Sequence, residues 1–198
     1  MQKIKKDGMT FLVSNKKVSL EKFTDYSAQS LIIPSQITAN KKTYLANEIM
    51  ENAFNNQNLN LKYVFIPKTI SKIGDRAFYN LSSLEKLEFE DDSNLIEIGK
   101  FAFSSLENLE EFYIPDSVIT IGDCAFRKST RITEIHISKN LNQIDSSAFV
   151  DMLNLKKISC DKNNKVYSSF EGVLFSKDKS ILISYPPSKE DLIYKIPE

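Results

Sequence analysis

The sequence predicts an α/β solenoid: a right-handed coil whose parallel strands form one concave β-sheet, with one short strand and one single-turn helix in every 23–25 residues. Three observations predict it. The pair Ala-Phe recurs at Ala53-Phe54, Ala77-Phe78, Ala102-Phe103, Ala125-Phe126 and Ala148-Phe149, spaced by 24, 25, 23 and 23 residues. An isoleucine stands four residues before each alanine, at Ile49, Ile73, Ile98, Ile121 and Ile144. Six or seven residues after each phenylalanine comes a strand pattern, "LKYVFIP", "LEKLEFE", "LEEFYIP", "ITEIHIS" and "LKKISCD" in turn. A fixed period of this length is the signature of stacked repeats.

Each unit is built from the same parts. Its strand alternates apolar and polar residues, as in Leu87-Glu88-Phe89, so one face is buried and the other exposed. Pro67 and Pro115 end two of the strands, because proline has no amide hydrogen to give to a ladder. An apolar return follows, as in "SVITI" at residues 117–121. Gly-Asp then opens the expected helical turn, with Gly74 and Gly122 permitting the bend and Asp75 and Asp123 capping free amides. Burying a large apolar side chain contributes roughly 1.5–3 kcal/mol. One unit therefore cannot offset its own ordering entropy, and stacking supplies the core that a single unit lacks.

The ends depart from the pattern, as the ends of a solenoid must. "TFLV" and "VSL", joined by "SNKK", read as a hairpin, and "SLIIP" at residues 30–34 reads as a strand preceding the first repeat. "GVLF" and "ILIS", joined by "SKDKS", read as a second hairpin. No Gly/Ser linker divides the chain, so residues 1–198 are expected to form a single domain. Its parts are an N-terminal cap with an atypical repeat (1–48), regular repeats (49–165), and a C-terminal hairpin with the start of a further strand (166–198).

The unit L-x-x-L-x-I-P…I-x-x-I-G-x-x-A-F resembles the BspA-like, or Treponema-type, leucine-rich-repeat family. Ile73-Gly74, Ala77-Phe78, Ile98-Gly99, Ala102-Phe103, Ile114-Pro115, Ile121-Gly122 and Ala125-Phe126 carry the resemblance, which covers roughly residues 31–161. The segment at 170–197 is similar to the punctuating segment between repeat blocks in that family. The resemblance implies a leucine-rich-repeat coil and a bacterial or protist surface protein that binds host proteins or other cells, and so a cell-surface or secreted location. The start of the chain lacks a signal-peptide core, "MTFLV" being its longest apolar stretch, which keeps a cytoplasmic location as the alternative.

On a curved parallel sheet the outward columns are Tyr63, Lys86, Glu111, Glu134, Lys157 and Phe65, Glu88, Tyr113, His136, Ser159, extended by Ser30 and Ile32. Strands about 4.8 Å apart would give six strands a platform roughly 25 Å long. Such a platform suits a protein or peptide better than a metabolite, which takes a closed cavity. The expected protein-binding residues are Tyr63, Phe65, Lys86, Glu88, Glu111, Tyr113, Glu134 and His136, with the three aromatics as anchors. The expected function is a non-catalytic protein-binding module of surface adhesion or host interaction, or alternatively an intracellular scaffold or regulatory interaction module.

The inventory argues against other classes. Net charge is zero, which disfavours nucleic acid. No run of eighteen apolar residues is present, so no transmembrane helix is expected. His136 is the only histidine; Glu134 shares its face, but no motif places a serine or cysteine nucleophile beside them. Neither a phosphate loop nor zinc or calcium spacing occurs, and the acidic run at 88–93 reads as a solvated turn. No catalytic, cofactor or metal site is therefore expected. Cys160 stands in a core column and Cys124 across the coil from it, too far apart for a disulfide. The chain is expected as a monomer, or as a homo-oligomer paired through an edge strand at 193–197.

Overall fold

The computed structural model describes residues 2–14, 17–55, 59–190 and 193–197. At the N-terminus β1 (Gln2–Lys6), β2 (Met9–Ser14) and β3 (Lys17–Phe23) form an antiparallel meander. The expected hairpin is β2–β3; part of its "SNKK" turn, residues 15 and 16, lies outside the described residues. β4 (Ser30–Ile32) is the strand expected before the first repeat, and β5 (Gln36–Ala39) pairs antiparallel with β6 (Lys42–Ile49).

The repeats then alternate long and short strands. They run as β7 (Tyr63–Ile66), β8 (Lys72–Ile73), β9 (Lys86–Phe89), β10 (Glu97–Ile98), β11 (Thr120–Ile121), β12 (Glu134–Ile137), β13 (Gln143–Ile144) and β14 (Lys157–Cys160). At the end, β15 (Tyr167–Phe170), β16 (Val173–Ser176) and β17 (Leu182–Ser184) make a second antiparallel meander, of which β16–β17 is the expected hairpin.

Each coil has three sides. On one, long strands stack in parallel. On the second, the short strands stack in parallel from β6 through β8, β10 and β11 to β13, each from β8 onward ending at the isoleucine that precedes Gly or Asp. The third side carries Ala-Phe. Here the expected one-turn helix does not form, and no helix occurs among the described residues. Asn52, Arg76, Phe101 and Cys124, each directly before the alanine, have φ of 58°, 53°, 54° and 53°. A left-handed residue interrupts helical backbone. Alternate amides then bond across coils, Arg76 N to Lys100 O at 2.8 Å, Phe78 N to Ala102 O at 2.9 Å and Phe103 N to Ala125 O at 2.8 Å, while those between them make only single tight turns, as Ala77 N to Gly74 O and Tyr79 N to Arg76 O, both at 3.2 Å. Asp75 Oδ1 likewise accepts from Lys100 N of the next coil, at 2.8 Å, rather than capping its own turn.

The glycines also serve a purpose other than the expected one. A Cβ on Gly74 would lie 2.6 Å from Glu51 N, one on Gly99 2.7 Å from Asp75 N, and one on Gly122 2.9 Å from Lys100 N. They are small because the coils touch backbone to backbone, not because the turn needs a positive φ.

The core is continuous from the N-terminal meander to β16. Phe54, Phe78, Phe103, Phe126 and Phe149 form one column of nearly parallel rings, with successive centroids 4.6, 5.2, 5.7 and 5.9 Å apart. At its far end Asn164, fully buried, donates to Ser138 O and Leu141 O and accepts from the amides of Val166 and Tyr167. The Tyr167 hydroxyl accepts from Ile144 N at 2.8 Å, closing the last short strand. The further strand expected at 193–197 is not formed: the residues lie outside any ladder, with Ile193 and Ile196 largely exposed. A strand needs a neighbour to pair with, and here Tyr194 instead donates its hydroxyl to Phe170 O at 3.2 Å.

Candidate binding face

The long strands present the outward columns as expected, but not as one sheet. β4, β7 and β9 form a three-stranded parallel sheet, and β12 and β14 a separate pair. Between them lies "LEEFYIP", expected as a strand. It makes none: among the described residues no backbone hydrogen bond from 110–114 to any neighbour occurs. Two local causes act together. The inward position occupied by Val64, Leu87, Ile135 and Ile158 in the other coils holds the larger Phe112 here. Its ring is wedged against Phe103 at 4.7 Å, Phe126 at 4.8 Å and Phe89 at 5.9 Å. Overfilling a packed core displaces backbone. In addition, Pro115 stands where Glu90 donates its amide to Ile66 O in the preceding coil, so the matching bond to Phe89 O has no donor.

The interruption sorts the expected binding residues into two groups. In the first, Tyr63 lies opposite Lys86 and Phe65 opposite Glu88. Tyr63 donates its hydroxyl to Glu88 Oε2 at 2.6 Å, and Lys86 Nζ lies 2.5 Å from Glu88 Oε1 and 5.9 Å from the Tyr63 ring centre. The hydrogen bonds from Lys86 and Tyr63 hold the Glu88 carboxyl below its ordinary value. The same carboxylate raises the Tyr63 phenol, since it favours the protonated hydroxyl. In the second group Glu134 lies opposite Lys157, 3.8 Å from its Nζ, and His136 opposite Ser159, with Nδ1 2.9 Å from Oγ. Glu111 and Tyr113 belong to neither. Both are exposed, Tyr113 by 64%, on the segment that has left the ladder. Ile32, 65% exposed, extends the face beyond Phe65.

Where the ladder opens, a cleft of about 1100 Å³ separates β9 from residues 110–117. Eight carboxylates and two lysines line it, with Phe65, Phe89 and Tyr113. The acidic run at 88–93 is thus a wall of this cleft rather than only a solvated turn. The sequence signal for the cleft is a single phenylalanine in a column of smaller aliphatics.

Neither thiol is paired. Cys160 is half-buried against the core, and burial pushes its thiol up to about 11. Cys124 is also partly covered, and burial raises its thiol. No grouping of three or more acid, His or Cys side chains fit for a metal occurs among the described residues. No helix there is long and apolar enough to cross a membrane.

The sequence pattern described as "BspA type Leucine rich repeat region" matches residues 47–181 in six copies. The chain belongs to the BspA-type leucine-rich-repeat family. Solved structures share the fold at low identity. The pneumococcal vaccine antigen PcpA superposes with a TM-score of 0.79 at 24% identity, over 99% of this chain and 59% of that one. A leucine-rich cell surface protein from Faecalibacterium prausnitzii gives 0.61 at 24%, over 100% and 65%. The leucine-rich-repeat protein of T. pallidum gives 0.70 at 21%, over 79% and 71%. The chain thus spans less than two thirds of the length of the first two. No curated protein matches it.

Proposed function

We propose that this BspA-type chain is a non-catalytic protein-binding module acting in adhesion at a cell surface. Its partner is a protein or peptide, and its binding face is built from Tyr63, Phe65, Lys86, Glu88, Glu111, Tyr113, Glu134 and His136. The observation that carries the reading is a single exposed face on which aromatic and charged side chains recur at strand spacing on rigid, core-packed coils. Aromatics held on a rigid surface bind at low entropic cost, which is why they dominate interface energies. The face has an open cleft rather than the closed cavity that a small substrate takes. The surface location draws on a neighbour, the F. prausnitzii cell surface protein, that shares the fold.

The test compares binding of the chain and of a Tyr63→Ser/Phe65→Ser/Tyr113→Ser variant to whole cells and matrix proteins, with folding checked by circular dichroism. Binding by the parent that a folded variant loses supports the reading. Equal binding by both moves the site off this face, and binding by neither removes the adhesive role.

A further inference from the structure

We propose that the cleft between β9 and residues 110–117 docks an extended, lysine- or arginine-rich segment of a partner protein. The inference rests on the protein-binding reading above and names the partner's chemistry. The first observation is the backbone: residues 110–114 have no backbone hydrogen-bond partner among the described residues, and the edge of β9 that faces them has none there either. Unmet N–H and C=O groups along a strand edge are a template for a further extended segment. The cleft is closed at its floor, where Phe89 meets Phe112 at 5.9 Å, and open at the surface. A partner would therefore lie along the cleft, not thread through the core.

The second observation is charge. The chain as a whole is neutral, yet this cleft holds eight carboxylates against two lysines. Both lysines are already engaged, Lys86 with Glu88 at 2.5 Å and Lys68 with Glu90 at 3.3 Å. Glu85 is held by Lys62 at 3.0 Å and Glu110 by Arg131 at 2.9 Å. Asp91, Asp92, Glu111 and Asp116 have no ion-pair partner among the described residues, and all four line the cleft. Four unpaired carboxylates on both walls select a cationic segment and exclude an acidic one. Tyr113 and Phe65 lie beside them and offer ring faces to a guanidinium or ammonium group.

The experiment uses the full chain and a labelled peptide of alternating lysine and valine, with the alternating glutamate–valine peptide as control. Affinity is read by fluorescence anisotropy at two salt concentrations, and amide hydrogen exchange is read with and without peptide. The expected result is binding of the lysine peptide alone, weakened by salt, with slower exchange at residues 110–114. An Asp91→Asn/Asp92→Asn/Glu111→Gln/Asp116→Asn variant, checked for fold by circular dichroism, should bind about tenfold or more weakly. Equal affinity in that variant, or binding that leaves exchange at 110–114 unchanged, overturns the proposal. No binding of the lysine peptide by a parent chain that still binds cells or matrix proteins overturns it and leaves the protein-binding reading standing. Light scattering runs in parallel. Self-association that the charge variant abolishes, without peptide binding, would make a second copy the occupant and overturn the choice of partner.

Discussion

At the residue scale the coil depends on positions whose role is contact across repeats. Gly99 is the clearest. Its missing Cβ leaves room for the Asp75 amide of the preceding coil, 2.7 Å from where that carbon would sit. The obstacle is backbone tied into cross-coil bonds, so it cannot swing aside as a side chain would. Gly99→Ala is expected to destabilise the chain by about 1–3 kcal/mol, measured by urea unfolding, although alanine would stiffen the unfolded chain. An unchanged midpoint would show that the coils can separate freely. Tyr63 tests the exposed face at the same scale. Its hydroxyl donates to Glu88, and a phenolate would lose that bond and face a negative carboxylate, so its ionisation is displaced upward from the ordinary tyrosine value. Glu88→Gln removes the charge, and the Tyr63 titration, followed by NMR of ring-labelled tyrosine, should move down. An upward or absent movement would place the cause elsewhere.

At the element scale the segment 110–114 decides whether the face is one sheet or two. If Phe112 holds the strand out of register by its bulk, then Phe112→Leu, which matches Leu87 in the preceding coil, should let the segment settle towards the ladder. Amide exchange at 111–114 should slow severalfold while the other long strands are unaffected; faster exchange there would mean that the phenylalanine stabilises the segment instead. Pro115 still withholds one bond, so closure is expected to be partial. This segment also shows what the sequence can and cannot reveal. The strand positions, the isoleucine of the short strands and the Ala-Phe column were legible because each is a local pattern repeated at a fixed period. The left-handed residues at Asn52, Arg76, Phe101 and Cys124 were not legible, since four different side chains occupy one backbone conformation and only cross-coil bonding holds them there. The helical turn was expected from Gly-Asp, yet every second amide there donates to a carbonyl of the next coil. The cleft was hidden for a further reason. It arises from the volume of Phe112 against Phe103 and Phe126, one in its own coil and one in the next, and such a contact has no sequence period. The apolar–polar alternation that turns these columns outward was legible in the strands, but their division into two groups follows from that same contact.

At the scale of the whole molecule, stability is a sum of neighbour contacts along one axis, because each coil touches only the coils beside it. The phenylalanine column makes this measurable. Phe103 stands in its middle, with Phe78 at 5.2 Å, Phe126 at 5.7 Å and Phe112 at 4.7 Å, and is fully buried. Phe149 ends the column, has a single ring neighbour among the described residues in Phe126 at 5.9 Å, and is 5% exposed. Truncating a buried phenylalanine typically costs about 3–5 kcal/mol, and the loss grows with the cavity that cannot collapse. Around Phe103 the coils on both sides are fixed by cross-coil amide bonds, so collapse is restricted. Around Phe149 only one neighbouring ring constrains it. Phe103→Ala should therefore lower the urea midpoint more than Phe149→Ala, by about 1–2 kcal/mol when converted to stability. If neighbour coupling is strong compared with the loss, both variants still unfold in one step. If Phe103→Ala instead separates unfolding into two transitions, the column is the joint that couples the N-terminal sheet of β4, β7 and β9 to the pair β12 and β14. In either case the order of the two midpoints is the test, and an equal loss at both positions would show that position along the coil does not govern how much each ring contributes.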